Sequence, residues 1–148
     1  ISLDDPALVA RNPDIEHERR VAIFDLIEGN HFALVGGPAG PYRVVLSVVD
    51  RGILFSVSDG NNQNLADIEL AMTPFRRNIR DYFLICESYF EAIRTATPER
   101  IEEIDEARRA LHNESAELLK TRLGPHVEVD DDTARRLFTL ISVLKMRS

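Results

Sequence analysis

Four side chains that can bind an anion or transfer a proton lie on helix faces that the sequence predicts to point inward. At 100° per residue, Arg19 falls among the apolar residues of the first predicted helix. Arg108 and His112 lie one turn apart on the apolar face of a later helix, and Arg136 lies at the edge of the last helix's apolar arc. Arginine binds carboxylates and phosphates, and histidine titrates near neutral pH. These residue types predict a pocket for a small anion, in which His112 binds the anion or moves a proton.

An internal ion-pair network is the alternative interpretation of the same residues. Burying an unpaired charge is costly, so inward-facing arginines need partners if the interior is closed. Such a network would fix the register of the helices without any ligand. The carboxylates expected to serve it are Glu18, Asp25, Glu87 and Glu114. The sequence leaves both interpretations open, and the candidate site residues are Arg19, Arg108, His112, Arg136, Glu18, Glu87 and Glu114.

Composition narrows the class of protein. The chain has 148 residues, a formal net charge of −7 and 44% hydrophobic residues, which predicts a single domain over residues 1–148. No long apolar run or basic leader is found, so we expect a cytoplasmic protein without a membrane partner. The acidic charge argues against nucleic-acid binding.

Familiar catalytic and metal-binding motifs fail on spacing. A single cysteine, Cys86, excludes an internal disulfide and a cysteine-paired metal site. His17-Glu18 begins like the zinc-protease helix motif, but Val21 stands where the second histidine is needed. We therefore expect no metal and no cofactor, assign no catalytic residue, and favour a protein that is not an enzyme.

Hydrophobic periodicity predicts about four helices. In the first helix, which ends at Gly29, Ile15, Ala22, Ile23, Leu26 and Ile27 are expected on one buried face. The next two helices run from about Pro74 to Arg94 and from about Pro98 to Leu123, each capped by the preceding threonine, Thr73 or Thr97. The last begins at the aspartates of residues 130–132.

Period-two alternation predicts strands between the first and second helices. Tyr42, Val44, Leu46 and Val48 share one face of the first strand, which a tight turn joins to the second. Ile68, Leu70 and Met72 point inward from the third. Short β-like runs at residues 1–3 and 126–129 complete the pattern. The predicted fold is α+β, an antiparallel meander of three to five strands packed against about four helices.

Apolar residues outside the predicted core predict self-association. Leu84 and Ile85 lie off the main stripe of their helix, and Val45, Val49 and Leu54 lie on the outer face of the strands. A regulatory or protein-interaction homodimer is therefore our first functional hypothesis. An enzyme or receptor for a small carboxylate or phosphate, built on the arginine and histidine residues, is the second.

Several long strings of the sequence carry a family resemblance. They are residues 12–19, 21–27, 73–76, 81–89 and 93–94, the run Leu111-His112-Asn113-Glu114, and residues 132–140. These strings resemble uncharacterised protein family 0262 of the alphaproteobacteria, and the similarity covers nearly the whole chain. The resemblance implies a small bacterial cytosolic protein, and it brings no activity, cofactor or partner with it.

Overall fold

The computed structural model describes residues 2–3 and 13–146. Its four helices are α1 (Pro13–Glu28), α2 (Arg76–Thr95), α3 (Pro98–Leu123) and α4 (Asp131–Met146). The strands are β1 (Ser2–Leu3), β2 (Phe32–Leu34), β3 (Arg43–Val49), β4 (Gly52–Ser58), β5 (Asn64–Ala71) and β6 (Val127–Val129). This composition confirms the predicted α+β class and its four helices.

The main sheet contains the predicted meander. Its strand order is β1-β3-β4-β5, with β3, β4 and β5 antiparallel and β1 parallel to β3. Leu46 pairs with Phe55 and Phe55 with Ile68, so one sheet face presents a continuous apolar surface. Gly52 begins β4 where a Cβ atom would come within 2.3 Å of the Leu70 carbonyl oxygen. Glycine is therefore required at that close approach.

A second, two-stranded sheet was not fully predicted from the sequence. β2 pairs antiparallel with β6, so that Phe32 faces Val129 and Leu34 faces Val127. Residues 126–129 were expected to be β-like, but residues 32–34 were not assigned to a strand. Three residues are too few to show an alternating pattern, and this strand depends on pairing with a distant part of the chain.

Helix α4 lies at the centre of the fold and contacts α1, α3 and β3. Every residue from Leu137 to Leu144 is buried. The wide apolar arc predicted for this helix is therefore confirmed. Because α4 is buried on several sides, its apolar residues are not confined to one helix face. The remaining helices and the main sheet surround α4 and determine which side chains reach the interior.

The N-termini of the helices test the predicted caps. Thr97 caps α3 as predicted, because its hydroxyl accepts from the Arg100 amide at 3.3 Å. Asp130 caps α4 in the same way, accepting from the Thr133 amide at 2.8 Å. The predicted Thr73 cap is wrong. Met72 already has helical backbone angles and Thr73 is the first residue of a short 3-10 turn, so its side chain makes no capping bond.

Candidate functional site

Arg108 contacts two carboxylates and one aromatic ring. From α3 it donates to Asp105 Oδ1 at 2.9 Å, and its second guanidinium nitrogen lies 3.7 Å from Glu18 Oε1 on α1. The guanidinium carbon lies 4.2 Å from the centre of the Tyr89 ring on α2. Three helices therefore hold this cation through two carboxylates and an aromatic face. Glu18 is a partner that the ion-pair interpretation predicted.

His112 lies one turn further along α3 and makes contacts with α4. Its Nε2 atom is 2.8 Å from the Arg135 carbonyl oxygen, which can only accept, so this nitrogen donates the proton. The Thr139 hydroxyl lies 3.1 Å from the same nitrogen and 3.2 Å from the same carbonyl. Burial lowers the pKa of His112 below its usual 6.5. Burial therefore favours the neutral form of the imidazole, and the groups that contact Nε2 belong to α4.

Tyr82 and Cys86 of α2 lie beside these residues. We call Arg108, His112, Tyr82, Cys86 and Thr139 the interior polar cluster. The Tyr82 hydroxyl is 3.5 Å from Thr139 Oγ1, and its ring centre is 5.3 Å from that of His112. Burial raises the pKa of Tyr82 well above its usual range. Burial also raises the pKa of the Cys86 thiol to about 11, with the Glu18 carboxylate adding to the effect. A thiol held protonated is a poor nucleophile, so the buried Cys86 acts as a small hydrophobic residue of the core.

Arg19 and Arg136 lie apart from this cluster, each with a carboxylate of its own. Arg19 donates to both carboxylate oxygens of Glu16, one turn earlier on α1. Arg136 lies 3.7 Å from Asp25 and donates to the Gly29 carbonyl oxygen at 3.3 Å, joining α4 to the end of α1. The described residues therefore do not gather the three arginines and His112 around one anion. Sequence periodicity indicated that these side chains point inward, but it did not indicate that each of them has different partners.

Two predicted carboxylates lie at the surface. Glu87 of α2 and Glu114 of α3 are both exposed. They are not the interior partners of the arginines that the ion-pair interpretation included. Glu18 and Asp25 take that role, because α1 rather than the outer sides of α2 and α3 faces the inward arginines.

Neither a metal centre nor a membrane span emerges from the described residues. No group of three histidine, cysteine, aspartate or glutamate side chains lies close enough there to hold a metal ion. In residues 2–3 and 13–146, no helix is both long and apolar enough to cross a bilayer.

The surface residues that predicted self-association are only partly exposed. Leu84 is 57% exposed and lies beside a groove of about 320 Å³ between α2 and α3, together with Ile85. Val45, Val49 and Leu54 on the outer sheet face are all half-buried. The sheet face is therefore a weaker candidate interface than its composition indicated.

The outward side of α1 carries an apolar surface that the sequence analysis missed. Val21 is 41% exposed, Phe24 62% and Ile27 68%. Ile27 was expected on the buried face, and this is wrong because it lies about 100° around the helix from Leu26, which is 1% exposed. Spacing of three residues among Val21, Phe24 and Ile27 could have shown a second apolar face. We call these three residues the α1 outer stripe.

Comparison with known proteins identifies close relatives. The chain matches the profile of uncharacterised protein family UPF0262 over residues 1–147. It is 54% identical to UPF0262 proteins of Rhizobium etli (strain CIAT 652) and Rhodospirillum rubrum, over 99% of this chain and 93% and 91% of theirs. A UPF0262 protein of Brucella canis is 54% identical over 97% of this chain and 90% of its own. No solved structure matches the chain.

Proposed function

The chain belongs to the uncharacterised protein family UPF0262, and we propose that this member is a non-enzymatic interaction protein acting as a homodimer through the outward side of α1. The observation that carries the proposal is the α1 outer stripe, centred on Phe24, which is 62% exposed. The opposite side of the same helix is buried through Ala22 and Leu26. A helix that is apolar on two sides is typical of one that packs against two partners.

The charges around the stripe favour a second copy of the chain as the occupant. Val21 and Ile27 lie about 60° to either side of Phe24, and Arg20 and Glu28 about 40° to either side. When two α1 helices pack antiparallel about a two-fold axis at Phe24, Val21 lies at the same level along the helix pair as the second copy's Ile27, across the seam that the two Phe24 side chains occupy. Arg20 then meets the second copy's Glu28, and both are exposed. A surface that is complementary to itself in this way is what a two-fold interface requires.

The closed interior supports a role without catalysis. Arg108 pairs with Glu18 and Asp105, and His112 Nε2 is bonded to the Arg135 carbonyl, which supports the ion-pair interpretation. An enzyme or receptor for a small anion at these residues stays a prediction. The buried, protonated Cys86 and the bacterial relatives support a cytoplasmic location, which is part of the proposal.

Sedimentation across a concentration series tests the proposal. Wild-type protein should change from monomer to dimer as its concentration rises through the micromolar range. Phe24→Asp should weaken association at least about tenfold, because two buried carboxylates would meet on the axis. Ile93→Asp is the matched control, since Ile93 is 50% exposed on α2 and outside the stripe. A monomer at every concentration, or equal loss in the control, would contradict the proposal.

A charge exchange tests the antiparallel arrangement separately. Arg20→Glu alone should weaken the dimer by placing two carboxylates together at each end of the helix pair. Adding Glu28→Arg should restore association, because each new glutamate then meets a new arginine in the other copy. If the double variant stays as weak as the single one, the two helices do not pair in this register.

A further inference from the structure

A cavity of about 420 Å³ opens at one end of the main sheet. It lies between the β3–β4 turn, the start of α2 and the end of α4. None of its lining residues belongs to the predicted arginine and histidine site or to the α1 outer stripe. Its volume is in the range typical of pockets for small molecules.

The floor of the cavity is apolar because the sheet extends past the helices at this end. Val48 lies on the same face of β3 as Val44 and Leu46. Val44 and Leu46 are 2% and 0% exposed, whereas Val48 is 38% exposed. Met72 and Ile79 also line the cavity. An apolar side chain directed to the core side therefore meets open space instead of a helix.

The rim of the cavity carries three cations from three elements. Arg51 comes from the β3–β4 turn, Arg76 from the start of α2 and Lys145 from the end of α4. Asp50 is the acidic residue of the lining, so the rim has a formal charge of +2. The Met72 amide donates to the Arg51 carbonyl oxygen at 3.0 Å, which holds the turn against the start of α2.

The two rim arginines differ from the inward ones in their partners. Across residues 13–146, neither Arg51 nor Arg76 forms an ion pair with a described carboxylate. Arg77, the next residue on α2, lies instead 3.6 Å from Asp81 and is 85% exposed. Guanidinium groups without a carboxylate partner keep their donors available for an oxyanion.

We propose that this cavity binds a small organic anion, with its phosphate or carboxylate group against Arg51 and Arg76 and its apolar body against Val48, Met72 and Ile79. The charged rim supplies the attraction for the head group, and the apolar floor distinguishes an organic anion from an inorganic one. The site is independent of the proposed dimer, because α1 takes no part in it.

Titration calorimetry with phenyl phosphate on the full chain tests the site. We expect one site per chain, with weaker binding of inorganic phosphate, which lacks the apolar body, and of phenol, which lacks the charge. Arg51→Gln combined with Arg76→Gln should weaken phenyl phosphate binding at least about tenfold, since two charge-assisted contacts are lost. Asp50→Asn should strengthen binding by removing the acidic charge on the rim.

Arg77→Gln is the matched control, because it removes an arginine of the same helix that does not line the cavity. It should leave phenyl phosphate affinity within about twofold of wild type. Melting curves without ligand check that each variant is folded. Absence of binding at millimolar phenyl phosphate, equal binding of inorganic phosphate, or an equal loss in Arg77→Gln would each overturn the proposal.

Discussion

The interior polar cluster and the open end of the main sheet use arginine in opposite ways. In the interior, Arg108 lies between Glu18, Asp105 and the Tyr89 ring. At the sheet end, Arg51 and Arg76 border a cavity without ion-pair partners among the described residues. Arg108 is therefore paired within the protein, whereas the rim arginines have donors available for a ligand.

The difference teaches that helix phase alone does not identify a binding site. Arg108 lies on an apolar face, which is unusual for a charged residue and attracts attention in the sequence. Its partner Glu18 is 90 positions earlier and comes close only when α1 packs beside α3. Arg51 and Arg76 are unremarkable in sequence, and only folding brings them to one cavity.

The largest effect that would test this comparison is on stability. Arg108→Ala should lower the free energy of unfolding by roughly 2 kcal/mol, because it removes the ion pairs of Arg108 with Glu18 and Asp105 and its contact with the Tyr89 ring. That is less than the roughly 3–5 kcal/mol typical of breaking a fully buried pair, since about a quarter of the side chain is exposed. Chemical denaturation measures the change.

Arg76→Ala is the counterpart at the sheet end and should change stability by less than about 0.5 kcal/mol. Equal losses in the two variants would remove the distinction between the regions. Citrate that raised the melting temperature of wild type much more than that of Arg108→Ala, beyond an ionic-strength control, would instead favour an anion site at the interior arginine.

A smaller effect concerns the pH dependence of stability. The pKa of His112 is lowered in the folded protein by burial, with Arg135 and Arg108 adding positive charge nearby. The unfolded chain therefore takes up a proton at higher pH than the folded one, and stability falls as the pH drops below about 6.5. We therefore expect this residue to lower the free energy of unfolding as the pH falls from about 7.5 to about 5.5.

His112→Gln is the variant that isolates this contribution, because glutamine can still donate to the Arg135 carbonyl but does not titrate. Denaturant unfolding at a series of pH values should give a shallower fall for the variant than for wild type. Parallel pH profiles would show that His112 is not held neutral in the interior.

The smallest effect tests how completely the interior polar groups are satisfied. Ser142 of α4 is fully buried, and its hydroxyl is the one buried side-chain polar atom without a hydrogen-bond partner among the described residues. Ser142→Ala should therefore raise the free energy of unfolding by up to about 1 kcal/mol. Thr139→Ala, which removes a bonded hydroxyl, should lower it. A loss of stability in both variants would contradict this difference.

Much of the fold could be predicted because it rests on local rules. The Thr97 cap, the proline that begins α3 and the alternation of β3 to β5 are all read within a few residues. The errors lie where packing between residues distant in sequence determines the local structure. Ile27 lies at the edge of the predicted buried face of α1, and the width of that face depends on which elements pack against the helix. Strand β2 forms by pairing with β6, and the start of α2 depends on the 3-10 turn that follows β5.

The candidate site was only partly predictable for the same reason. Arg108 and His112, which the sequence predicts as neighbours on an inward face, lie one turn apart on α3 and are both half-buried. Their partners come from α1 and α4, and no local spacing relates Glu18 to Arg108 or the Arg135 carbonyl to His112. Similarly, the apolar spacing of the α1 outer stripe was present in the sequence, but its exposure depends on the packing of the whole helix.

A cysteine cross-link at the centre of the α1 outer stripe tests the central claim most directly. In the proposed antiparallel pair, residue 24 meets its own copy on the two-fold axis, and the native Cys86 is buried and held protonated. Phe24→Cys should therefore form an intermolecular disulfide rapidly and nearly completely under mild oxidation, whereas Ile93→Cys should remain monomeric on a non-reducing gel. Equal cross-linking of the two variants, or none at position 24, would contradict the dimer.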